Sequence, residues 1–378
     1  MTELRRVGLN LLFMVPGETG GSEIYARNLI PALVENRPDL ELVAFVNREA
    51  AELEFPGVVV IPVGVSGRGR IRRVVAEERR LPGLIREHGI QLLHSLGTSA
   101  PARPGAVSVV TILDVIYARY PEAHTLPMRV GMRVLVPRAA KSADRVITIS
   151  RAAAGDIAEL LGIDRKRIDV TYLGGKPSAA ATPEADLRSR LGLGDSPLVL
   201  SVSARRPHKN LPRLLGAFAR LRVEPAPILV LPGYSTPFED EIAAEIRRLD
   251  IAERVRSLRW TSDRDLECLY RAATCFVFPS LAEGFGLPVL EAMQRGLPVA
   301  CSNTSSLPEV AGDAALYFDP LSEDEIAAAM EELLVSPERR EQLAEAGRRQ
   351  AGRFSWERTA RGTAESYERA WAERGHHG

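Results

Sequence analysis

Between residues 7 and 149, short runs of apolar and β-branched residues alternate with longer amphipathic ones. The short runs, at 7–15, 40–46, 58–62, 90–94, 107–112 and 145–149, have the length and composition of buried strands. Patterns such as 22–35 and 71–87 between them have helical spacing. A strand that is apolar on both faces needs cover on both, so the alternation predicts a parallel sheet wound with helices. The stretch LGGKPSAAATPEAD at 173–186 breaks the rhythm with glycine, proline and small residues, as an interdomain linker does. A second series follows, with strands near 198–202, 228–231, 254–258, 274–278 and 298–301. A chain of 378 residues, 45% of them hydrophobic, is long enough for two cores. The expected class is therefore α/β, two doubly wound domains over 1–175 and 186–354 facing across a cleft, where ligands are commonly bound.

Charge narrows the function classes. Lys+Arg and Asp+Glu balance at 49 each, so no bulk positive field favours nucleic acid, and no nucleic-acid partner is expected. Cys268, Cys275 and Cys301 lie in apolar text without metal-ligand spacing and read as reduced, buried thiols of a cytoplasmic protein. The opening MTELRRVGLNLLFMVPG reads as a first strand rather than a leader, and no run approaches the ~18 apolar residues of a membrane span. At 66–80, SGRGRIRRVVAEERR carries six arginines interleaved with Ile71, Val74 and Val75. It reads as a solvated helix face; the alternative is peripheral contact with the inner face of an anionic membrane or with an acidic acceptor.

Three strand-to-helix junctions carry chemistry. In LAEGFGLPVLEAMQRG at 281–296, Gly284 and Gly286 argue against one continuous helix, and Pro288 suits a first helical turn. Glu283 is then expected on a loop and Glu291 in the first turn of the helix, at the sheet edge where free helix N–H groups meet anions. In SVSARRPHKNLPRLLGAF at 201–218, Arg205, Arg206 and Lys209 precede a helix that Asn210 would cap, which is a fit for phosphate. At 16–22, PGETGGS places Gly20 and Gly21 where backbone could approach a phosphate closely, although the dinucleotide spacing G-x-G-x-x-G is missing.

Taken together, the E-x7-E pair Glu283/Glu291 with its Gly-Phe-Gly-Leu-Pro turn, the Arg-Pro-His-Lys-Asn run, the Gly-Gly-Ser turn and Ile147–Ser150 resemble retaining glycosyltransferases of family 4, which have the GT-B fold of two Rossmann-like domains. The resemblance covers nearly the whole chain and implies that a C-terminal helix over 355–373 packs back on the first domain. It implies a nucleoside-diphosphate sugar as co-substrate, no metal and no other cofactor. Glu291 would accept from the ribose hydroxyls and Glu283 would contact the transferred sugar. Lys209 and Arg206 would hold the diphosphate, with Arg205 a further candidate. Backbone at Gly286 and Leu287, beside Phe285, would add amide donors, and Gly20 and Gly21 would let the first domain close over the phosphates. The departing diphosphate gains charge as the glycosidic bond breaks, so fixed cations and amides favour the transition state. Acceptors of the class are glycans, lipids or small molecules.

Relatives of this kind carry a His-Asp pair where this chain has Leu113-Asp114. A silent enzyme, a shifted register and a donor sugar lacking a 6-hydroxyl all fit; the last is the preferred reading, with Leu113 packed against an apolar group. Asp263-Arg264-Asp265 matches a D-x-D metal motif but follows Ser262 at a helix start and is assigned a structural role. Trp260 is a candidate for base stacking, though packing is the commoner role for an aromatic at a strand end. A nucleotide-sugar epimerase and a catalytically silent nucleotide-binding protein are the alternative functions.

Overall fold

The computed structural model describes residues 3–123, 126–234, 236–259 and 261–375. Trp260, His376 and His377 lie outside them. Two units divide the chain: Met1–Gly174 with Ser355–Gly378, and Gly175–Phe354.

The first unit has a seven-stranded parallel sheet. Its strands are β1 (Arg6–Leu11), β2 (Glu41–Val46), β3 (Val58–Pro62), β4 (Leu92–Ser95), β5 (Val107–Thr111), β6 (Arg145–Thr148) and β7 (Ile168–Val170). Their order is β3-β2-β1-β4-β5-β6-β7, so the chain winds outward from β1 and returns to begin again at β4 on the other side. Because parallel crossovers are right-handed, this reversal puts helices on both faces. β5 and β6 are buried at every position, which explains why they read as unbroken apolar runs.

The second unit repeats the logic with six parallel strands: β8 (Leu198–Leu200), β9 (Ile228–Pro232), β10 (Val255–Leu258), β11 (Cys275–Phe278), β12 (Val299–Ser302) and β13 (Ala315–Phe318). Their order is β10-β9-β8-β11-β12-β13, with the reversal between β8 and β11. Val199, Leu229, Val277 and Ala300 from the sheet pack with Leu214, Phe218, Met330 and Leu333 from helices.

Several elements differ from the sequence expectation. The helix expected over 71–87 is two, Arg70–Arg79 and Leu81–Glu87, with Pro82 in the first turn of the second, where its missing N–H costs nothing. The stretch 173–186 is less loose than its composition suggests. Glu184 to Asp186 already belong to the helix Glu184–Leu191, whose start their charges favour, and Thr182 is held by Arg264 O at 3.0 Å and by Asp265 Oδ1 at 2.6 Å. The short strands β7 and β13, of three and four residues, are not among those the sequence reading expected.

The last helix, Trp356–Gly375, packs on the helix Gly21–Asn36 of the first unit. Its buried seam runs through Thr359, Ala360, Thr363, Tyr367 and Ala370. The Tyr367 hydroxyl meets His94 Nδ1 at 2.7 Å, and Glu373 pairs with Arg145 at 2.6 Å. Burial holds His94 far below the usual imidazole range, at about 3, so the ring is neutral.

Candidate active site

The reversal of strand order between β8 and β11 makes a crevice at the carboxyl edge of the sheet, and the loops that leave these two neighbours lie there together. The loop after β8 ends in a 3₁₀ turn, Pro207–Lys209. The loop after β11 ends at Gly286, which precedes the helix Leu287–Gln294. Leu281 N–H donates to His208 O at 2.8 Å and ties one loop to the other. Across this junction Lys209 Nζ lies 2.6 Å from Glu283 Oε1, with side chains only 16% and 9% exposed. The ammonium also sits 5.4 Å from the centre of the Phe278 ring. A nearly desolvated pair has a strong mutual field, so an anion arriving beside Lys209 would meet a cation already held in place.

Gly286 has φ 104°, and a Cβ there would lie 2.7 Å from Leu307 Cδ2. Only glycine fits both constraints. The amides of Val289 and Leu290 turn back to Gly286 O, so the donors that remain for an anion are those at the very start of the helix. Glu291 is the fifth residue of this helix and opens its second turn rather than lying in its first. Its Oε2 accepts from the Tyr270 hydroxyl at 3.0 Å. Burial pushes the Glu291 carboxyl up, opposed by the Tyr270 bond and by Arg295. Arg295 is held in turn by Glu267 at 2.6 Å and stacks over the Tyr270 ring at 5.0 Å.

Arg205, a phosphate candidate in the sequence, is turned into the sheet edge, with Nε 3.9 Å from Glu239 Oε1. Its guanidinium is 1% exposed and donates to Gly233 O, Leu231 O, Leu258 O and the Ser257 hydroxyl, stitching the ends of β9 and β10. Five fixed N–H donors suit that task, and the text of a basic loop does not say which arginine takes it. Arg206 is half-buried, forms no ion pair among the described residues, and borders a depression of about 440 Å³ that also holds Glu241, Glu245 and Glu323. Asn210 occupies the N-cap position but makes no capping bond. In a left-handed conformation, φ 58°, it sends its amide to Pro279 O and Pro320 O, bracing the two loops instead.

The bracing serines were missed in the sequence. Ser305 Oγ accepts from Glu283 N and donates to Glu283 O at 2.7 Å, while Ser306 Oγ reaches Phe285 O at 2.8 Å. The run Asn303–Ser306 directly follows β12, so a polar turn at the same sheet edge was the available signal. At the start of the helix Asp263–Ala272, Ser262 Oγ caps Asp265 N, Asp265 pairs with Arg190, and Asp263 pairs with Lys176.

In the first unit, Gly20 is the N-cap of the helix Gly21–Asn36 at φ 57°, with nothing within 4 Å of where a Cβ would be. The turn before it is closed by Glu23, which accepts from Gly17 N at 2.9 Å. Leu113 and Asp114 follow β5, both half-buried, and Asp114 Oδ1 accepts from Ile116 N at 3.0 Å. Both features lie at the carboxyl ends of their strands.

Comparison with known proteins gives the class of these two doubly wound units: a glycosyltransferase of the GT-B fold. The chain matches the family model described as glycosyl transferases group 1 over residues 184–350 and that of Glycosyltransferase Family 4 over 19–175. It is 32% identical over 295 residues to an O-antigen chain mannosyltransferase B of Escherichia coli, covering 76% of this chain and 77% of that one. An MMP alpha-(1->4)-mannosyltransferase of Mycolicibacterium hassiacum is 34% identical over 64% of this chain and 58% of its own. Among solved structures, the sucrose-phosphate synthase of Thermosynechococcus elongatus superposes with TM-score 0.77 at 21% identity, over 98% of this chain and all of that one. Anabaena HepE in complex with UDP and glucose superposes with TM-score 0.74 at 19% identity, over 96% and 99%. The chain belongs to the family 4 glycosyltransferases. Nothing in these comparisons supports an epimerase.

Proposed function

We propose that this glycosyltransferase transfers a hexose from a nucleoside-diphosphate sugar with retention of anomeric configuration and without a metal ion. The observation that carries the reading is the Lys209–Glu283 pair at the β8/β11 reversal, beside the glycine-started helix at Gly286. Lys209 and Arg206 would hold the diphosphate with the helix amides, and Glu283 would orient the sugar. Glu291, whose Oε2 accepts from the Tyr270 hydroxyl, would accept from ribose hydroxyls as well. Gly20 and Gly21 offer a second turn where backbone can approach an anion. The acceptor hydroxyl oxygen attacks the anomeric carbon from the face of the leaving group, the bond from that carbon to the diphosphate oxygen breaks, and the departing phosphate takes the hydroxyl proton. No carboxylate pair flanking the bond is required, in contrast to glycoside hydrolases. The complex of HepE with UDP and glucose supports a nucleotide sugar as donor, and the mannosyltransferase relatives make mannose the first sugar to test.

The test is a product analysis with purified protein over UDP-, GDP-, dTDP- and ADP-sugars in EDTA. Formation of a glycoside with the donor's anomeric configuration is expected. An inverted product, or activity that Mg²⁺ alone restores, would overturn the stereochemical or the metal-free part. Leu113 refines the donor, because a sugar hydroxyl left unpaired against it would cost about 1–3 kcal/mol. GDP-mannose should therefore show lower kcat/KM than its 6-deoxy counterpart, and Leu113→His should narrow that ratio. A ratio that does not move removes Leu113 from the sugar pocket.

A further inference from the structure

The first unit has a concave surface to which the transfer machinery assigns no role, enclosing about 1080 Å³. Two helices, Arg70–Arg79 and Leu126–Ser142, form most of its wall. Each lends an i, i+4 stripe: Ile71 and Val75 from one, Val130 and Val134 from the other. Residues at that spacing share one helix face, and an apolar face is ordinarily packed against something. Here Ile71 is 81% exposed, and Val75, Val130 and Val134 are 46%, 59% and 60% exposed. Contiguous exposure of this kind marks an interaction site rather than scatter. Met128, Met132 and Phe13 continue the wall, and thioether side chains adapt to irregular apolar shapes.

Charge selects the occupant. Among the described residues that line this surface none is acidic, whereas Arg68, Arg70, Arg72 and Arg73 border it, Arg68 paired with Glu18 and Arg73 with Glu77. Arg70 and Arg72 have no carboxylate partner among the described residues; Arg70 Nη2 instead lies 3.7 Å from Met128 Sδ. A neutral apolar partner would leave those cations unmatched. At its other end the surface reaches Thr19 and Ser22, which flank Gly20 and Gly21, and Gly97-Thr98 beyond β4. It therefore runs from an apolar trough with free arginines to the carboxyl edge of the sheet.

We propose that this groove binds the acceptor as a phosphorylated hydrocarbon. The chain lies along the two apolar stripes, the phosphate or diphosphate meets Arg70 and Arg72, and the group to be glycosylated points toward Thr19 and Ser22. The proposal rests on the transferase reading and adds the acceptor class to it. Concavity favours a single chain over a bilayer, because a flat lipid surface cannot reach residues that line the walls of a trough.

Calorimetry with the purified full chain tests this, using dodecyl phosphate below its micellar concentration beside inorganic phosphate and dodecyl maltoside. Dodecyl phosphate should bind at least about tenfold tighter than either, because only it matches both the stripe and the cations. Ile71→Asp and Val134→Asp, at exposed positions on separate helices, should each weaken it about tenfold. Arg70→Gln with Arg72→Gln should erase its advantage over the maltoside. Melting curves without ligand identify any variant that is not folded. Equal binding of the three probes, or unchanged binding by the folded Asp variants, overturns the proposal. So does sedimentation with phosphatidylglycerol vesicles when monomeric dodecyl phosphate does not bind, which would assign the surface to a membrane. A nucleoside-diphosphate melting shift measured in parallel separates the two readings. A chain that binds nucleotide but not dodecyl phosphate keeps the transferase and loses this acceptor; one that binds dodecyl phosphate but no nucleotide loses both.

Discussion

Lys209 and Glu283 hold each other at 2.6 Å with little solvent around them. Removing the lysine therefore does two things, withdrawing a cation from the leaving group and stranding a carboxylate. Lys209→Ala should lower kcat by about 10²–10³ while raising KM much less, as loss of a preorganised donor does. Adding Glu283→Gln should recover stability without recovering turnover, because breaking one half of a buried pair costs more than removing both. Recovery of both by the double variant would show that the lysine acts only through folding. Glu291 behaves differently. Its carboxyl is raised by burial, so the folded state holds that proton more tightly than the unfolded chain does. The stability linked to it is present below the ordinary carboxylate range and lost as pH rises through the elevated value. Glu291→Gln should then raise Tm relative to the parent at pH 7 and lose that advantage toward pH 4, while nucleotide affinity falls. A Tm difference that does not change with pH would remove the linkage. None of these couplings is legible locally, since the partners are 74 residues apart in one case and 21 in the other.

At the scale of elements, the loop after β11 is shaped as much by its neighbours as by its own text. Gly286 supplies the left-handed turn, and Ser305 and Ser306, from the loop after β12, hold the backbone of Glu283 and Phe285. Gly286→Ala should cost about 1–3 kcal/mol of stability through strain at positive φ and the contact with Leu307. It should also reduce kcat by moving the helix start, and chemical denaturation with parallel turnover measurements checks both effects. An alanine variant as stable and active as the parent would mean that the turn does not need glycine. The strand–loop–helix order and the glycine were readable from the motif; the serine brace was not, because nothing in a single polar turn states which loop it will face.

The molecule as a whole is two units threaded unequally. Gly175–Phe354 is continuous and owns a core of strands and helices, whereas the first unit is completed only when the chain returns at Ser355. A fragment of 175–354 should fold alone and show a melting shift with nucleoside diphosphates, since a ligand bound only by the native state stabilises it. A fragment ending at Gly174 should be poorly folded, because it leaves the seam opposite Thr363, Tyr367 and Ala370 uncovered and His94 without Tyr367. Cooperative unfolding of that shorter fragment would contradict this account of the last helix.

By itself the sequence determined the α/β class, the two strand series and the junctions that carry Lys209, Glu283 and Glu291. Strand and helix periodicity, glycine at a turn and proline at a helix start act over a few residues, so they are written locally. Only the tertiary structure decided that Arg205 serves the sheet while Lys209 faces Glu283, that Asn210 braces two loops instead of capping a helix, and that the apolar stripes over 71–75 and 130–134 lie uncovered along one groove. A side chain's partner depends on which strand ends the order β10-β9-β8-β11-β12-β13 makes neighbours, and that order is set by packing the whole sheet rather than by any segment within it.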